Sequence, residues 1–246
     1  MLISNQFTQY KQAIRSLPGG VALSKEHLLV GDFLMAQSGA LHMYYAPHNE
    51  YIRDGARICV IGLTPGWSQM RVAMQTAKAS LAEGLPDEEV CRRAKEAAAF
   101  AGTMRLHLIG MLDALELHRH LGVASCGELF GAQRDLLHTT SLLRYPVFVG
   151  ARNYSGAHPP LLSNPFLTSA ALDAQQELGW LPQALIIPLG KTVEQVLRLL
   201  VRQERLDAGR ILWGFPHPSG ANGHRQKQFA EQRETMRRMI ETWFQR

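Results

Sequence analysis

The sequence predicts an α/β fold: a three-layer sandwich with a central, mostly parallel four-stranded sheet flanked by helices. Three observations carry that expectation. Ile58-Cys59-Val60-Ile61 and Ala184-Leu185-Ile186-Ile187 are continuous apolar runs, the pattern of strands buried on both faces. Longer amphipathic stretches separate the strand candidates, and such alternation closes into a parallel sheet through right-handed crossovers. The 246 residues are 46% hydrophobic and 19% charged, which is enough apolar material for a core and too much for intrinsic disorder.

Each element has a local reason. A helix over 6–17 is stopped by Pro18-Gly19-Gly20. The first strand, 57–63, ends in the tight turn Thr64-Pro65-Gly66. Helices follow over 68–81 and 87–99, the second beginning with Pro86-Asp87-Glu88-Glu89, acidic residues suited to a helix N-terminus. The next amphipathic helix, 103–117, has Thr103 as its N-cap, with Leu106, Ile109 and Ala114 at helical spacing. The second strand is 136–143, and the Pro-, Gly- and Asn-rich segment 144–165 reads as a long functional loop. A helix over 168–178 leads to the third strand, 184–189, closed by Gly190. A helix over 192–203, a fourth strand at 211–213, a loop over 215–223 and a basic helix over 225–244 complete the chain.

Composition removes several function classes. The apolar runs are far too short to span a bilayer, and the N-terminus lacks the basic and apolar regions of a signal peptide. Cys59, Cys91 and Cys126 are odd in number, with no Cys-x-x-Cys, so a disulfide framework, a zinc ribbon and an iron–sulfur cluster are not expected. A monomer in a reducing cytoplasm, with no membrane, no metal and no cofactor, is the expectation. A net charge of +5 permits a polyanionic partner without requiring one.

In parallel sheets ligands bind beyond the carboxyl ends of the strands, so the loops after the strands are the candidate sites. Three of them stand out. Gly62-Leu63-Thr64-Pro65-Gly66 allows close backbone approach. His138-Thr139-Thr140-Ser141 ends the second strand in hydroxyls. His217-Pro218-Ser219-Gly220-Ala221-Asn222 gathers an imidazole, a hydroxyl and an amide before the basic helix. Read singly, each also fits an ordinary turn or strand edge.

In order and spacing the three resemble the uracil-DNA glycosylase superfamily. That family's first motif is a strand followed by Gly-x-x-Pro-Gly or a close variant. Its last is His-Pro-Ser-x-x-Asn after the fourth strand, matched at every fixed position by 217–222. Phe100-Ala101-Gly102 is similar to the family's Phe-x-Gly segment, and 185–191 to its third strand ending in Leu-Gly-Lys. Tyr45-Ala46-Pro47-His48 resembles the single-strand-selective branch. The resemblance covers roughly 44–229. It implies one glycosylase-like domain over 1–246, with 1–43 a helical N-terminal extension and 67–99 a helical insertion.

The resemblance implies hydrolysis of the N-glycosidic bond of a deaminated base, uracil or a related one, in DNA. Such an enzyme holds the base outside the stack. Phe100 would stack on it, Thr140 and Ser141 would touch its edge, and Gly62, Leu63, Pro65 and Gly66 would wall the pocket. His217 would stabilise the negative charge on the leaving base, and Thr64 would orient water. Ser219, Gly220, Ala221, Asn222, Arg225, Lys227 and Arg144 would meet the DNA, single-stranded or damaged, with Asn222 also shaping the loop. Arg152, Arg233, Arg237 and Arg238 are further basic positions that suit a phosphate backbone.

The pattern also departs from the family. Thr64 stands where branches carry Asp or Asn, and a threonine hydroxyl is no general base near neutral pH. Leu63 and Thr103 stand at the other two positions where branches place an acid. Asp87, Glu88 and Glu89 are better explained as first-turn helix residues. Gly220 and Ala221 are poor duplex wedges. Two alternatives follow: a catalytically weak or inactive member that binds nucleic acid, and a serine acyl hydrolase using Ser68. The latter rests on Gly66-Trp67-Ser68-Gln69-Met70, a nucleophile-elbow pattern without its final glycine.

Overall fold

In the computed structural model, which describes residues 1–100 and 102–245, strand and helix alternate as the sequence predicts, with added strands at 34–44 and 147–153. In chain order the elements are α1 (Gln6–Ser16), α2 (Lys25–Leu28), β1 (Leu34–Ser38), β2 (Leu41–Tyr44), β3 (Ile58–Gly62), α3 (Trp67–Ala82), α4 (Asp87–Ala98), α5 (Thr103–Ala114) and α6 (Leu117–Leu121). They continue with β4 (Leu137–Ser141), β5 (Val147–Val149), β6 (Arg152–Asn153), α7 (Pro165–Leu172), α8 (Ala174–Gly179), β7 (Leu185–Pro188), α9 (Lys191–Arg202) and α10 (Arg225–Phe244). The chain forms two compact units. One comprises 1–52, 64–101 and 143–171; the other comprises 53–63, 102–142 and 172–246.

The second unit is built on a parallel sheet in the order β4-β3-β7. Every residue of the three strands is buried, as the apolar runs of β3 and β7 require, and β4 is buried although His138, Thr139, Thr140 and Ser141 are polar. Ile58 pairs with Leu137 on one side and Leu185 on the other, and Gly62 reaches the end of the ladder opposite Ser141. The apolar faces of α5, α9 and α10 supply Leu108, Leu112, Val193, Val196, Leu197, Leu200, Met236 and Ile240 to its buried core. The expected helix over 103–117 ends at Ala114, because Glu116 turns left-handed at φ 59° before α6 begins.

A four-stranded parallel sheet was expected, and three strands are found. The segment 211–213 contributes only one parallel bridge, Ile211 to Ile186, with Leu212 N–H donating to Ile186 O at 2.8 Å. The 3₁₀ turn Ala208–Arg210 precedes it and Gly214, at φ 84°, follows it, so too little extended chain remains for a ladder.

The first unit holds an antiparallel sheet, β1-β2-β5-β6, that the sequence reading did not contain. Two-residue hairpins at Gly39-Ala40 and Gly150-Ala151 join its outer pairs, with Gly39 and Gly150 both at φ 57°. Part of 144–165, read as loop, is thus strand, and 1–43 carries β1 and the start of β2 besides its helices. The segment 67–99 folds as expected into two helices. α1, α3 and α4 enclose a core of Phe7, Ile14, Met70, Met74, Val90 and Ala94. Among the described residues no helix is long and apolar enough to cross a membrane.

Candidate functional site

At the carboxyl edge of the parallel sheet the ladder extends past its last strand residues. Leu142 N–H donates to Gly62 O at 2.9 Å and Leu189 N–H to Ile61 O at 2.9 Å. The register sets Thr140 beside Ile61 and Ser141 beside Gly62. Both side chains are buried, and the Thr140 hydroxyl has no hydrogen-bond partner. A buried hydroxyl left unmatched in the fold is available to another donor or acceptor. Leu63, the next residue on β3's path, is half-buried.

β7 runs into Gly190, which precedes the first turn of α9. Its backbone sits at φ 88° and ψ 170°, a region essentially reserved for glycine. Its N–H donates to Phe215 O at 3.1 Å, which fixes the loop carrying His217 against the sheet edge. A Cβ at position 190 would lie 3.1 Å from the His217 Cβ. Close approach and dihedral angles therefore both call for glycine here.

The His217 loop is held by its own residues. Ser219 N–H donates to His217 Nδ1 at 3.2 Å, so Nδ1 accepts and the ring proton of the neutral imidazole lies on Nε2. Burial pushes the His217 pKa down, which favours that neutral form. Asn222 Nδ2 donates to His217 O at 3.2 Å and to Gln228 Oε1 at 3.0 Å. Arg225 donates to Pro218 O at 3.1 Å and Ser219 O at 2.9 Å. His107 Nδ1 lies 3.0 Å from Pro218 O. Ala221 N–H closes a small turn on the Ser219 hydroxyl at 3.2 Å. Gly220, Ala221 and Lys227 are exposed.

His217 and Asn222 border a cavity of about 680 Å³, whose other walls include Lys191, Glu194, Arg198 and Trp213. The Glu194 carboxylate accepts from Arg198 at 2.6 Å and from Gly214 N–H at 2.9 Å, while the Arg198 guanidinium lies 4.3 Å from the Trp213 ring. Glu194 is matched by Arg198, and Lys191 and Glu231 add one charge of each sign to the cavity's lining.

The remaining expected residues belong to the first unit. The Thr64 hydroxyl donates to Tyr145 O at 3.1 Å and accepts from Val147 N–H at 3.1 Å, tying the turn after β3 to β5. Pro65 is buried. Gly66 is the N-cap of α3, and a Cβ there would meet Asn153 Nδ2 at 3.3 Å. Phe100 is buried and left-handed at φ 48°, an uncommon conformation for an aromatic residue. Ala101 of the same segment lies outside the described residues. Arg144 is half-buried, and its carbonyl accepts from Asn49 Nδ2 at 2.8 Å. Ser68 is exposed on the first turn of α3. Asp87 pairs with Lys11 at 2.5 Å and Glu89 with Arg92 at 2.6 Å, so both acids serve α4 and its neighbour.

The Tyr45-Ala46-Pro47-His48 segment is core. Tyr45 stacks on Tyr10 with centroids 4.1 Å apart. His48 is buried with neither ring nitrogen hydrogen-bonded. Burial, and then the Lys95 charge, lowers its pKa to about 3.

Sequence reading noted Gly190 and Lys191 only as the end of the Leu-Gly-Lys strand, without the contact and the cavity wall they provide, and it missed His107 as a support, which left no signal.

No family model matches the chain. Over 237 residues it is 42% identical to the uncharacterized protein YoxB of Bacillus subtilis (strain 168), an alignment covering 96% of this chain and 92% of that protein.

Proposed function

Starting from the family of Bacillus subtilis YoxB, to which the chain belongs, we propose that it is a DNA glycosylase-like protein. It hydrolyses the N-glycosidic bond of a deaminated base, uracil or a related one, in single-stranded or damaged DNA. It acts as a monomer in the cytoplasm. The fold this reading implies is a three-layer sandwich whose parallel sheet continues past β7 to the single bridge at Ile211.

One observation carries the reading: His217 is neutral, with Nδ1 occupied by Ser219 N–H and its proton on Nε2, beside a cavity. Cleaving the bond leaves negative charge on the departing base and positive charge on the sugar. A fixed, water-poor N–H donor stabilises the first without reorganising during the reaction. A neutral imidazole suits this role, since it adds no charge to the ground state. The Thr140 hydroxyl, buried without a partner, supports contact with the base edge. Lys191 and the exposed Lys227 suit a phosphate backbone.

Water activation is the weaker half of the mechanism. The Thr64 proton is given to Tyr145 O and one lone pair is taken by Val147 N–H, so the hydroxyl retains one lone pair to orient a water. The same observation favours the second reading, a catalytically weak or inactive member that binds nucleic acid. Ser68, exposed in a helix turn without the elbow's final glycine, gives the acyl hydrolase little support.

The deciding experiment incubates the protein with single- and double-stranded oligonucleotides carrying uracil, hypoxanthine or xanthine, followed by alkali. Abasic sites on at least one substrate are expected, with a loss of ~10²–10³-fold in His217→Ala, the scale for removing one preorganised donor. No abasic sites together with salt-sensitive binding would establish the binding-only reading. Cleavage undiminished in His217→Ala would remove His217 from the mechanism.

A further inference from the structure

The second unit carries another group of reactive side chains, none of which the glycosylase reading uses. Asp113 lies at the end of α5, His118 in α6 and Cys126 at the start of the 3₁₀ turn Cys126–Phe130. Two left-handed residues, Glu116 at φ 59° and Gly122 at φ 70°, reverse the chain on either side of α6. The three side chains consequently converge: one carboxylate oxygen, one imidazole nitrogen and the thiol sulfur all lie within 4.8 Å of one another.

Their surroundings are built. The Asp113 carboxylate is oriented by the Ser125 hydroxyl at 2.7 Å and by Cys126 N–H at 2.6 Å. Gly127 N–H donates to the same Ser125 oxygen at 3.0 Å, which fixes the hydroxyl in turn. Cys126 is fully buried. His118 Nδ1 is buried, points toward Asp113 Oδ1 at 3.5 Å and makes no hydrogen bond. A buried ring nitrogen so close to a carboxylate and a thiol, yet bonded to neither, indicates a missing partner.

We propose that Asp113, His118 and Cys126 are the protein ligands of a divalent transition-metal ion of the zinc type. Two ligands ~2.0 Å from a tetrahedral centre stand ~3.3 Å apart, close to the observed carboxylate–imidazole separation. The donor set of thiolate, imidazole and carboxylate is borderline-soft, which favours zinc or cobalt over magnesium or calcium. As the sulfur–metal bond forms, the Cys126 thiol releases its proton to solvent. Asp113 binds as the carboxylate it already is, and His118 binds through the Nδ1 lone pair, its proton on Nε2. One proton leaves per ion bound. Three protein ligands leave the fourth position to water or an exogenous donor. Ser125 acts from behind as an orienting partner of the carboxylate.

The test strips the full-length chain with a chelator, titrates it with Co²⁺, then displaces the cobalt with Zn²⁺. A thiolate-to-cobalt absorption band is expected to saturate at one equivalent and to vanish on adding zinc. Cys126→Ser abolishes the band, His118→Gln weakens cobalt binding by more than ~10-fold, and Ser125→Ala weakens it by ~10–100-fold, the range for partners behind a ligand. Cys91→Ala, a cysteine of the first unit outside the cluster, leaves it unchanged. Because Cys126 is buried, circular dichroism accompanies each variant, and half-exposed His118 gives the variant least able to disturb folding. Absence of the band, or a band that survives in His118→Gln at unchanged affinity, would show a hydrogen-bonded turn and no metal site.

Discussion

Gly190→Ala is the substitution from which the most can be learned about the His217 loop. Position 190 combines a glycine-only backbone conformation with a neighbour 3.1 Å from any added Cβ. The backbone alone costs about 1–3 kcal/mol. The contact adds to this, because the His217 Cβ is close to the main chain and cannot swing away as a long side-chain tip would. At ~2–4 °C per kcal/mol for a chain of this size, the melting midpoint should fall by ~3–10 °C. Gly39→Ala supplies the reference, since Gly39 also has positive φ but nothing within 4 Å of its Cβ position. Its loss should be the backbone cost of about 1–2 kcal/mol alone. Urea denaturation measures both, and the histidine ring signals in NMR should show His217 displaced only in Gly190→Ala. If Gly190→Ala is no worse than Gly39→Ala and leaves the His217 signals in place, the contact does not position the histidine.

Three further outcomes are expected. His48 is held neutral, its pKa lowered to about 3 by burial. The unfolded chain therefore binds the extra proton first, and stability falls as pH drops from about 6.5 toward 3, by about 5 kcal/mol in all. His48→Phe should flatten that part of a stability–pH profile, and an unchanged slope would assign it to other groups. Thr64→Val removes one hydroxyl that serves Tyr145 O and Val147 N–H, and should cost about 1–3 kcal/mol with faster exchange of the Val147 amide; unchanged exchange would refute the assignment. His138 and Glu177, both buried, meet at 2.7 Å between β4 and α8. Glu177→Ala should cost about 3–5 kcal/mol, and adding His138→Leu should restore part of it; strict additivity in a double-mutant cycle would refute their coupling.

The parallel sheet was legible because burial on both faces leaves a mark in composition: Ile58-Cys59-Val60-Ile61 and Leu185-Ile186-Ile187 have no polar side. The antiparallel sheet was not, because β1 and β2 alternate weakly and β6 is two exposed residues long. Its marks were Gly39 and Gly150, each at a two-residue hairpin, and such glycines are ambiguous before the partner strand is known. The expected fourth strand, 211–213, is reached by a single parallel bridge, since three apolar residues resemble a strand whatever ladder they can reach. At the site, the His217 loop was legible as a motif, but its supports Gly190 and His107 meet it through contacts distant in sequence. The Asp113, His118 and Cys126 cluster left no familiar spacing, because a left-handed residue on each side of α6 creates it.

The order of the parallel strands constrains how the protein can be made. β3 is the central strand, and it is synthesised first. Its neighbours are β4 and β7, so Ile58 waits for Leu137 and Leu185. A ribosome-bound chain has no complete parallel sheet until residues near 188 have emerged; β3 lacks any parallel partner until β4 emerges near 141, and one of its edges stays open until β7 follows. Such long-range pairing slows folding and leaves the nascent strand open to aggregation. Both units are also assembled from three separated stretches of sequence, so cutting the chain at one point cannot release either unit intact.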